Sequence, residues 1–492
     1  MTDANETPRS EPDDALGWHD AVALADALRS GATTPSELTE AAIARIEGGD
    51  DVTNAVILRR FDAARAEADA IEPGSAPFAG VPMLVKDLGA AMAGEPTYLG
   101  TRVLKEIDHR AEVDSFLVRR LRAAGFVILG RTNTPELGST ITTEPLSFGP
   151  SRNPWNSEFS TGGSSGGSGA AVAAGFVPVA HASDGGGSIR IPAANCGLVG
   201  LKPSRGRISA GPLVGSNWLG ASTDGAVTRT VRDAAAMLDV LAGYEPGDPV
   251  TAPPPARPFA DEVGADPGRL RIGVVDQPPF SGYSADEQAA AGVRAVADAL
   301  AGLGHDVADA WPAAIGEDEF RVHFLNVVAA YTAEDLAWIE KAAGRPLTDD
   351  DIEGGNHALA EIGRALPVAV FLETEGWLHS WCRRVVEWWF GDDAYDLLLC
   401  PVLNGPPPRI GDLMDADTGT DALLALFQYT SQFNVTGQPA ISLPLHTSTE
   451  GLPMGVQLVA APAREDRLLQ VAAQLESAMP WADRHPGTAG GS

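Results

Sequence analysis

Apolar positions along the chain switch repeatedly between a helical and a strand rhythm. DAVALADALRSG (20–31) spaces its apolar residues by three and four and stops at Gly31, as an amphipathic helix does. TTPSELTEAAIARIE (33–47) opens on a capping box, with Thr34 as N-cap, Pro35 in the first helical position and Glu37 three residues after the cap. FAGVPMLVKDL (78–88) carries an unbroken apolar run instead, the pattern of a strand buried on both faces. DSFLVRRLRAAG is a helix closed by Gly125, and FVILGRTN after it is a short strand. GFVPVAHASD (175–184) and RLRIGVVD (269–276) continue the alternation, which predicts an α/β fold with helices covering a mixed sheet. DLLLCPVL (396–403) and FNVTGQPAISLPL (433–445) read as further core strands, so both halves of the chain are expected to build one sheet.

The same pattern bounds the organisation. Residues 1–16 are polar and acidic and are expected to be a disordered lead, as are residues 485–492 at the other end. A single domain is expected over 17–484. The stretch 243–268, GYEPGDPVTAPPPARPFADEVGADPG, is rich in proline and acid and is expected to be an excursion over the surface rather than a boundary. Residues 285–395 read as mostly helical and cap-like, and they hold six of the ten tryptophans. Most of those rings are expected in the core.

Composition changes this picture little, but charge narrows the partners. The chain is 44% hydrophobic and 21% charged, an ordinary globular balance. Its net charge of −31 repels phosphate backbones and anionic lipid, so neither nucleic acid nor membrane is an expected partner. Cys196, Cys382 and Cys400 are odd in number and far apart, giving neither a metal spacing nor a disulfide framework. The first twenty residues lack the basic and apolar regions of a secretory signal. A cytoplasmic protein is expected, monomeric or homodimeric.

The candidate chemistry lies in GGSSGGSGA (162–170) and SDGGGSIRIPAANCG (183–197). A flexible linker does not fit, because AAVAAGFVPVAHA follows at once and reads as buried. A phosphate loop does not fit either, since no Gly-Lys-Ser/Thr closes the glycines and no G-x-G-x-x-G is formed. G-x-S-x-G is matched around Ser164 and Ser165, yet the polar NPWNSEFST precedes it where a nucleophile elbow has an apolar strand. A serine–histidine–aspartate site would also need a base, and His181, near Asp184 and Ser188, reads more simply as a core residue. A buried, neutral lysine is another base for a serine. Lys86 ends the apolar run VPMLV, where it either points to solvent or is drawn inside, and Asp87 beside it favours its charged form unless the two face opposite ways.

VKD, GGSSGGSGAAVAAG, SDGGGSIRIPA and CGLVGLKPSRGRIS, in that order between Gly80 and Ser209, together resemble the amidase signature family. The later block FNVTGQPAISLPL…LPMGVQLVA is similar to that family's C-terminal part, and RAAGFVILGRTNTPE, TTEP, NPWN and EDRLLQVAAQLE are similar to its 6-aminohexanoate cyclic-dimer hydrolases and urethanases. The resemblance implies a central mixed, twisted sheet with helices on both faces. It implies Ser188 as nucleophile, Ser164 as a bridging serine on a cis peptide after Gly163, and Lys86 as base. Backbone N–H groups of Gly185, Gly186, Gly187 and Ser188 would form the oxyanion hole, and Gly138 and Ser139 would line the acyl site. Many relatives carry a side chain at position 185, so the main-chain oxyanion hole is expected to function with a roomier or looser floor to the site. The cyclic-dimer hydrolases resemble one another in having asparagine at 139, so their substrate preference does not carry over directly to this chain. Asp184 and Arg190 are expected to brace the nucleophile loop, Ser165 to support it, and GPLVGSNWLGASTDG (211–225) and the tryptophans after 330 to supply an apolar pocket.

The implied activity is hydrolysis of amide C–N bonds in small, cyclic, oligomeric or aryl amides, or in carbamates, with neither metal nor organic cofactor. A glutaminase subunit of a tRNA-dependent amidotransferase and an inactive binding protein of the same fold are the alternatives.

Overall fold

The computed structural model describes residues 14–487. The first strands are β1 (Val56–Arg59), β2 (Pro82–Lys86), β3 (Val127–Thr132), β4 (Arg152–Asn153), β5 (Asn156–Ser160) and β6 (Val179–Asp184). β7 (Val199–Lys202), β8 (Thr223–Thr228), β9 (Arg271–Val274) and β10 (Asp306–Asp309) follow. β11 (Leu397–Pro401), β12 (Ala440–Thr447) and β13 (Pro453–Ala460) complete the set. All but the small β4–β5 pair join one 11-stranded sheet in the order β1-β3-β2-β6-β8-β7-β12-β13-β11-β9-β10. β2 pairs in parallel with β3 and β6, and β9 with β10 and β11, while the pairs from β6 through β8, β7, β12 and β13 to β11 are antiparallel. The expected mixed sheet is therefore present, and β7 against β12 is where the two halves meet.

Apolar cover on both faces follows from strand periodicity. In β11, Leu397 and Leu399 enter one core cluster while Leu398 and Cys400 enter another. Ile441 and Leu443 of β12 join the first cluster, and Ala440 the second. Alternate residues face opposite ways, so each face needs its own helices. Helices Glu287–Gly302 and Glu465–Ala478 cover one face, and Glu319–Ala343 and Val368–Val386 cover the other.

Local signals behave as their chemistry dictates. Helix Ala21–Ser30 ends on left-handed Gly31, and helix Pro35–Thr53 has the full Thr34/Glu37 capping box. Parts of the expected lead and tail, 14–16 and 485–487, fall within the described residues. Asp14 pairs with Arg45 at 2.6 Å, Leu16 is buried, and His485 stacks on Trp18 at 3.8 Å, so these residues are tied to the domain. The remainder of the expected lead and tail lies outside the described residues. The 243–268 segment runs over the surface but is anchored by buried Phe259, whose N–H, like that of Ala260, is held by Asp239. Within 285–395 the edge strand β10 interrupts the helices; its mostly exposed residues gave no strand rhythm to read. Among the six tryptophans there, Trp381 and Trp389 are buried, whereas Trp311 and Trp338 are substantially exposed.

Candidate active site

The parallel strands β2 and β6 end side by side, and their last residues are Lys86 and Asp184. Carboxyl ends of parallel strands are where such sheets open to bind ligands. Here Lys86 is drawn inside rather than out: its residue is 0% exposed. Its Nζ is hydrogen-bonded to Ser164 Oγ at 2.7 Å and to Ser183 Oγ at 2.9 Å. Burial lowers the Lys86 pKa to about 7 against the opposing pull of the Asp224 and Asp184 carboxylates. Asp87 plays no part in that balance. It faces away, accepts from the Tyr98 N–H at 3.0 Å and the Gly100 N–H at 3.3 Å, and lies 4.0 Å from Arg131.

Ser164 follows a cis Gly163–Ser164 peptide and precedes helix Gly166–Ala173. The surrounding glycines are there for close packing. A Cβ on Gly167 would stand 2.3 Å from the Asn133 nitrogen, and one on Gly166 2.2 Å from Thr161 Oγ1. Ser165 donates to the Ser183 carbonyl at 3.2 Å and accepts from the Ser183 N–H, so it supports β6 as expected. Gly138 comes next to the site: a Cβ there would lie 3.1 Å from Ser164 Oγ. Ser139 is only half-buried, and its hydroxyl donates to the Glu136 carbonyl of its own turn at 3.1 Å.

The glycine loop Gly185–Ser188 leaves β6 at Asp184 and enters helix Arg190–Cys196. A buried network fixes it. Asp184 takes two hydrogen bonds of 2.9 Å from Arg190, and one of 3.1 Å from the Ile189 N–H. Burial pushes the Asp184 pKa up, but Arg190 outweighs it and holds the carboxylate at about 2. Arg190 donates further to Gln457 of β13 and to Asn434, each at 2.6 Å. The Gly186 carbonyl accepts from Thr430 Oγ1, which turns the Gly187 N–H, on the opposite side of that trans peptide, the other way. Gly187 has φ +141, and a Cβ there would stand 2.6 Å from Thr430 Oγ1, so only glycine fits. Ser188 is 8% exposed, and among the described residues its hydroxyl has no hydrogen-bond partner.

His181 does not serve Ser188. Its Nδ1 accepts from the Lys86 N–H at 3.3 Å, which leaves the proton on Nε2, 3.1 Å from Asp224 Oδ1. His181 therefore forms no serine–histidine–aspartate constellation with Ser188 among the described residues. The residues that reading the sequence missed are Ser183, Asp224, Thr430, Asn434 and Gln457. Ser183 sits beside Asp184 in the motif and could have been suspected. Asp224 reaches the site only through the β6–β8 register, which pairs it with Ser183. The apolar rings against the glycine loop are Trp218, Phe324 and Phe427. Of these only Trp218 belongs to the expected pocket segments. No group of His, Cys, Asp and Glu suited to a metal ion occurs among the described residues.

Residues 37–469 match the Amidase family model, and the chain belongs to that family. It is an amide-hydrolysing enzyme acting on C–N bonds. It is 46% identical over 481 residues to 6-aminohexanoate-cyclic-dimer hydrolase of Pseudomonas sp. (strain NK87), covering 95% of this chain and 96% of that one. The solved structure of 6-aminohexanoate cyclic dimer hydrolase complexed with substrate superposes with TM-score 0.92 at 45% identity, over 96% of this chain and 99% of that one. A bacterial aryl acylamidase of the amidase signature enzymes superposes with TM-score 0.85 at 29% identity, over 96% and 99%. Among the described residues no helix is long and apolar enough to cross a membrane.

Proposed function

We propose that the chain cleaves small cyclic or linear amides of apolar aliphatic acids through a Lys86–Ser164–Ser188 relay, with Ser188 as nucleophile. The observation that carries this reading is the 2.7 Å hydrogen bond between Ser164 and a fully buried Lys86 whose pKa is about 7. A neutral Lys86 amine keeps one lone pair. It donates to Ser183 and accepts the proton of Ser164, which in turn takes the proton of Ser188 as that oxygen attacks the carbonyl. The C–O bond of an acyl-enzyme forms, and the proton returns through Ser164 to the leaving nitrogen as the C–N bond breaks. Backbone N–H groups of the Gly185–Ser188 loop receive the oxyanion, where preorganised donors are worth about 3–4 kcal/mol each. Water then releases the acid by the reverse route.

The cyclic-amide substrate class rests on the relatives named above. Aryl amides and carbamates are the next substrates to try. The free, buried thiols Cys196 and Cys400 support a reducing cytoplasm, and the chain is proposed to act as a monomer or homodimer without an RNA-bearing partner.

Labelling with an aryl sulfonyl fluoride tests the nucleophile. One label per chain is expected, lost in Ser188→Ala and retained in Ser165→Ala. A label that survives Ser188→Ala overturns the assignment. Hydrolysis of a bulky anilide by the purified chain, with none of glutamine, is expected and separates this reading from a glutaminase subunit.

A further inference from the structure

The backbone that carries the proposed nucleophile is roofed by aromatic rings. A Cβ built on Gly185 would lie 3.1 Å from two carbons of the Trp218 ring, and one on Gly186 would lie 3.2 Å from Phe427 and 3.6 Å from Phe324. The indole is thus packed closely on the loop itself, and a side chain at 185 would push the Trp218 ring back by a few tenths of an ångström. Trp218 meets Phe324 edge-on at 6.1 Å, which closes the roof.

Trp218 is held there at a conformational cost. It and Leu219 are consecutive non-glycine residues with φ of +50 and +53, an arrangement that persists only where surroundings impose it. The surroundings are visible. Tyr331 Oη accepts from the Leu219 N–H at 3.2 Å, and Arg205 Nε donates to the Gly220 carbonyl at 2.7 Å. Arg205 is itself tied to the carbonyl of Val435, one residue beyond the Asn434 that braces Asp184 and Arg190. The loop carrying the ring is therefore bound to the same scaffold as the nucleophile loop.

We infer that Trp218 is a specificity-determining residue: set on Gly185 and flanked by Phe324 and Phe427, it admits unbranched chains beside the scissile carbonyl and turns away branched or anionic ones. The inference rests on Ser188 being the nucleophile. The physical basis is steric and dielectric. A methyl branch on the carbon next to the carbonyl meets an indole already in contact with the loop. An anion there loses its water and meets the negative faces of three aromatic rings.

The test compares hexanoyl anilide with its 2-methyl-branched counterpart on the full chain and on Trp218→Ala. The branched-to-unbranched ratio of kcat/KM is expected to rise at least about tenfold in the variant, the range that one methylene commands in an apolar pocket. The unbranched substrate is expected to lose through KM, with kcat little changed. Trp218→Leu keeps apolar packing without the indole and moves the ratio in the same direction, while Trp218→Phe restores most of the parent's ratio. A ratio unchanged in both Trp218→Ala and Trp218→Leu, with stoichiometric sulfonyl fluoride labelling retained, overturns the inference. Failure of the underlying nucleophile assignment looks different: the label then persists in Ser188→Ala.

Discussion

At the scale of single residues, Lys86 shows how burial favours the neutral form of a lysine and so suits it to the base role proposed for it. The sheet interior penalises the ammonium form, while Asp224 and Asp184 favour it, and the balance falls at about 7. With the neutral amine as the proposed base, kcat/KM is expected to rise with pH through about 7 and level off above it. On the acid side it falls about tenfold per pH unit. Asp224→Asn removes a carboxylate that holds the proton, so the limb should move to lower pH; a shift upward in a pH–rate profile contradicts the balance described. Lys86→Ala is expected to lose amide cleavage more severely than cleavage of the matched ester, since protonating a leaving amine asks more of the relay. Equal losses on the two substrates count against that role.

At the scale of elements, the decisive unit is the turn from β6 into helix Arg190–Cys196, bolted to the C-terminal half by Arg190. The Asp184–Arg190 pair is wholly buried and satisfied by Asn434, Gln457 and backbone groups. Removing one partner leaves a bare charge in the interior, which typically costs about 3–5 kcal/mol. Arg190→Met is therefore expected to lower the unfolding free energy measured in urea by that order and to depress kcat; stability within about 0.5 kcal/mol of the parent, the range of a neutral surface change, would refute the bolt. The pH signature has a definite sign. With its folded pKa held at about 2, Asp184 contributes stability that is fully present above the unfolded value and is lost as pH falls through about 2. The sequence reading foresaw this pair as a brace, but not the reach of Arg190 across the sheet.

At the scale of the whole molecule, one 11-stranded sheet joins the two halves and the acidic surface envelops them. A net charge of −31 works against any compact state through self-repulsion. Screening shortens that repulsion, with a Debye length of about 30 Å at 0.01 M salt and about 8 Å at 0.15 M. The melting temperature is expected to rise as sodium chloride is raised across that range. A fall would mean that surface ion pairs outweigh the net repulsion.

The linear chain determined the local and the compositional. Capping residues marked the first helices because their effect is confined to one turn, and apolar runs marked β2, β6, β11 and β12 because a doubly covered strand must be apolar throughout. Four ordered motifs pointed to Lys86, Ser164 and Ser188 before any coordinates. Only the tertiary structure decided which way Lys86 faces, since a lysine at a strand end carries no sign of its own burial. It alone brought Asp224 opposite Ser183 through the β6–β8 register, and placed Thr430 against the glycine loop and Asn434 and Gln457 against Arg190 from 240 or more residues away. It also chose Trp218, rather than the tryptophans after 330, to lie on Gly185. Such contacts depend on register and strand order, and no local pattern encodes those.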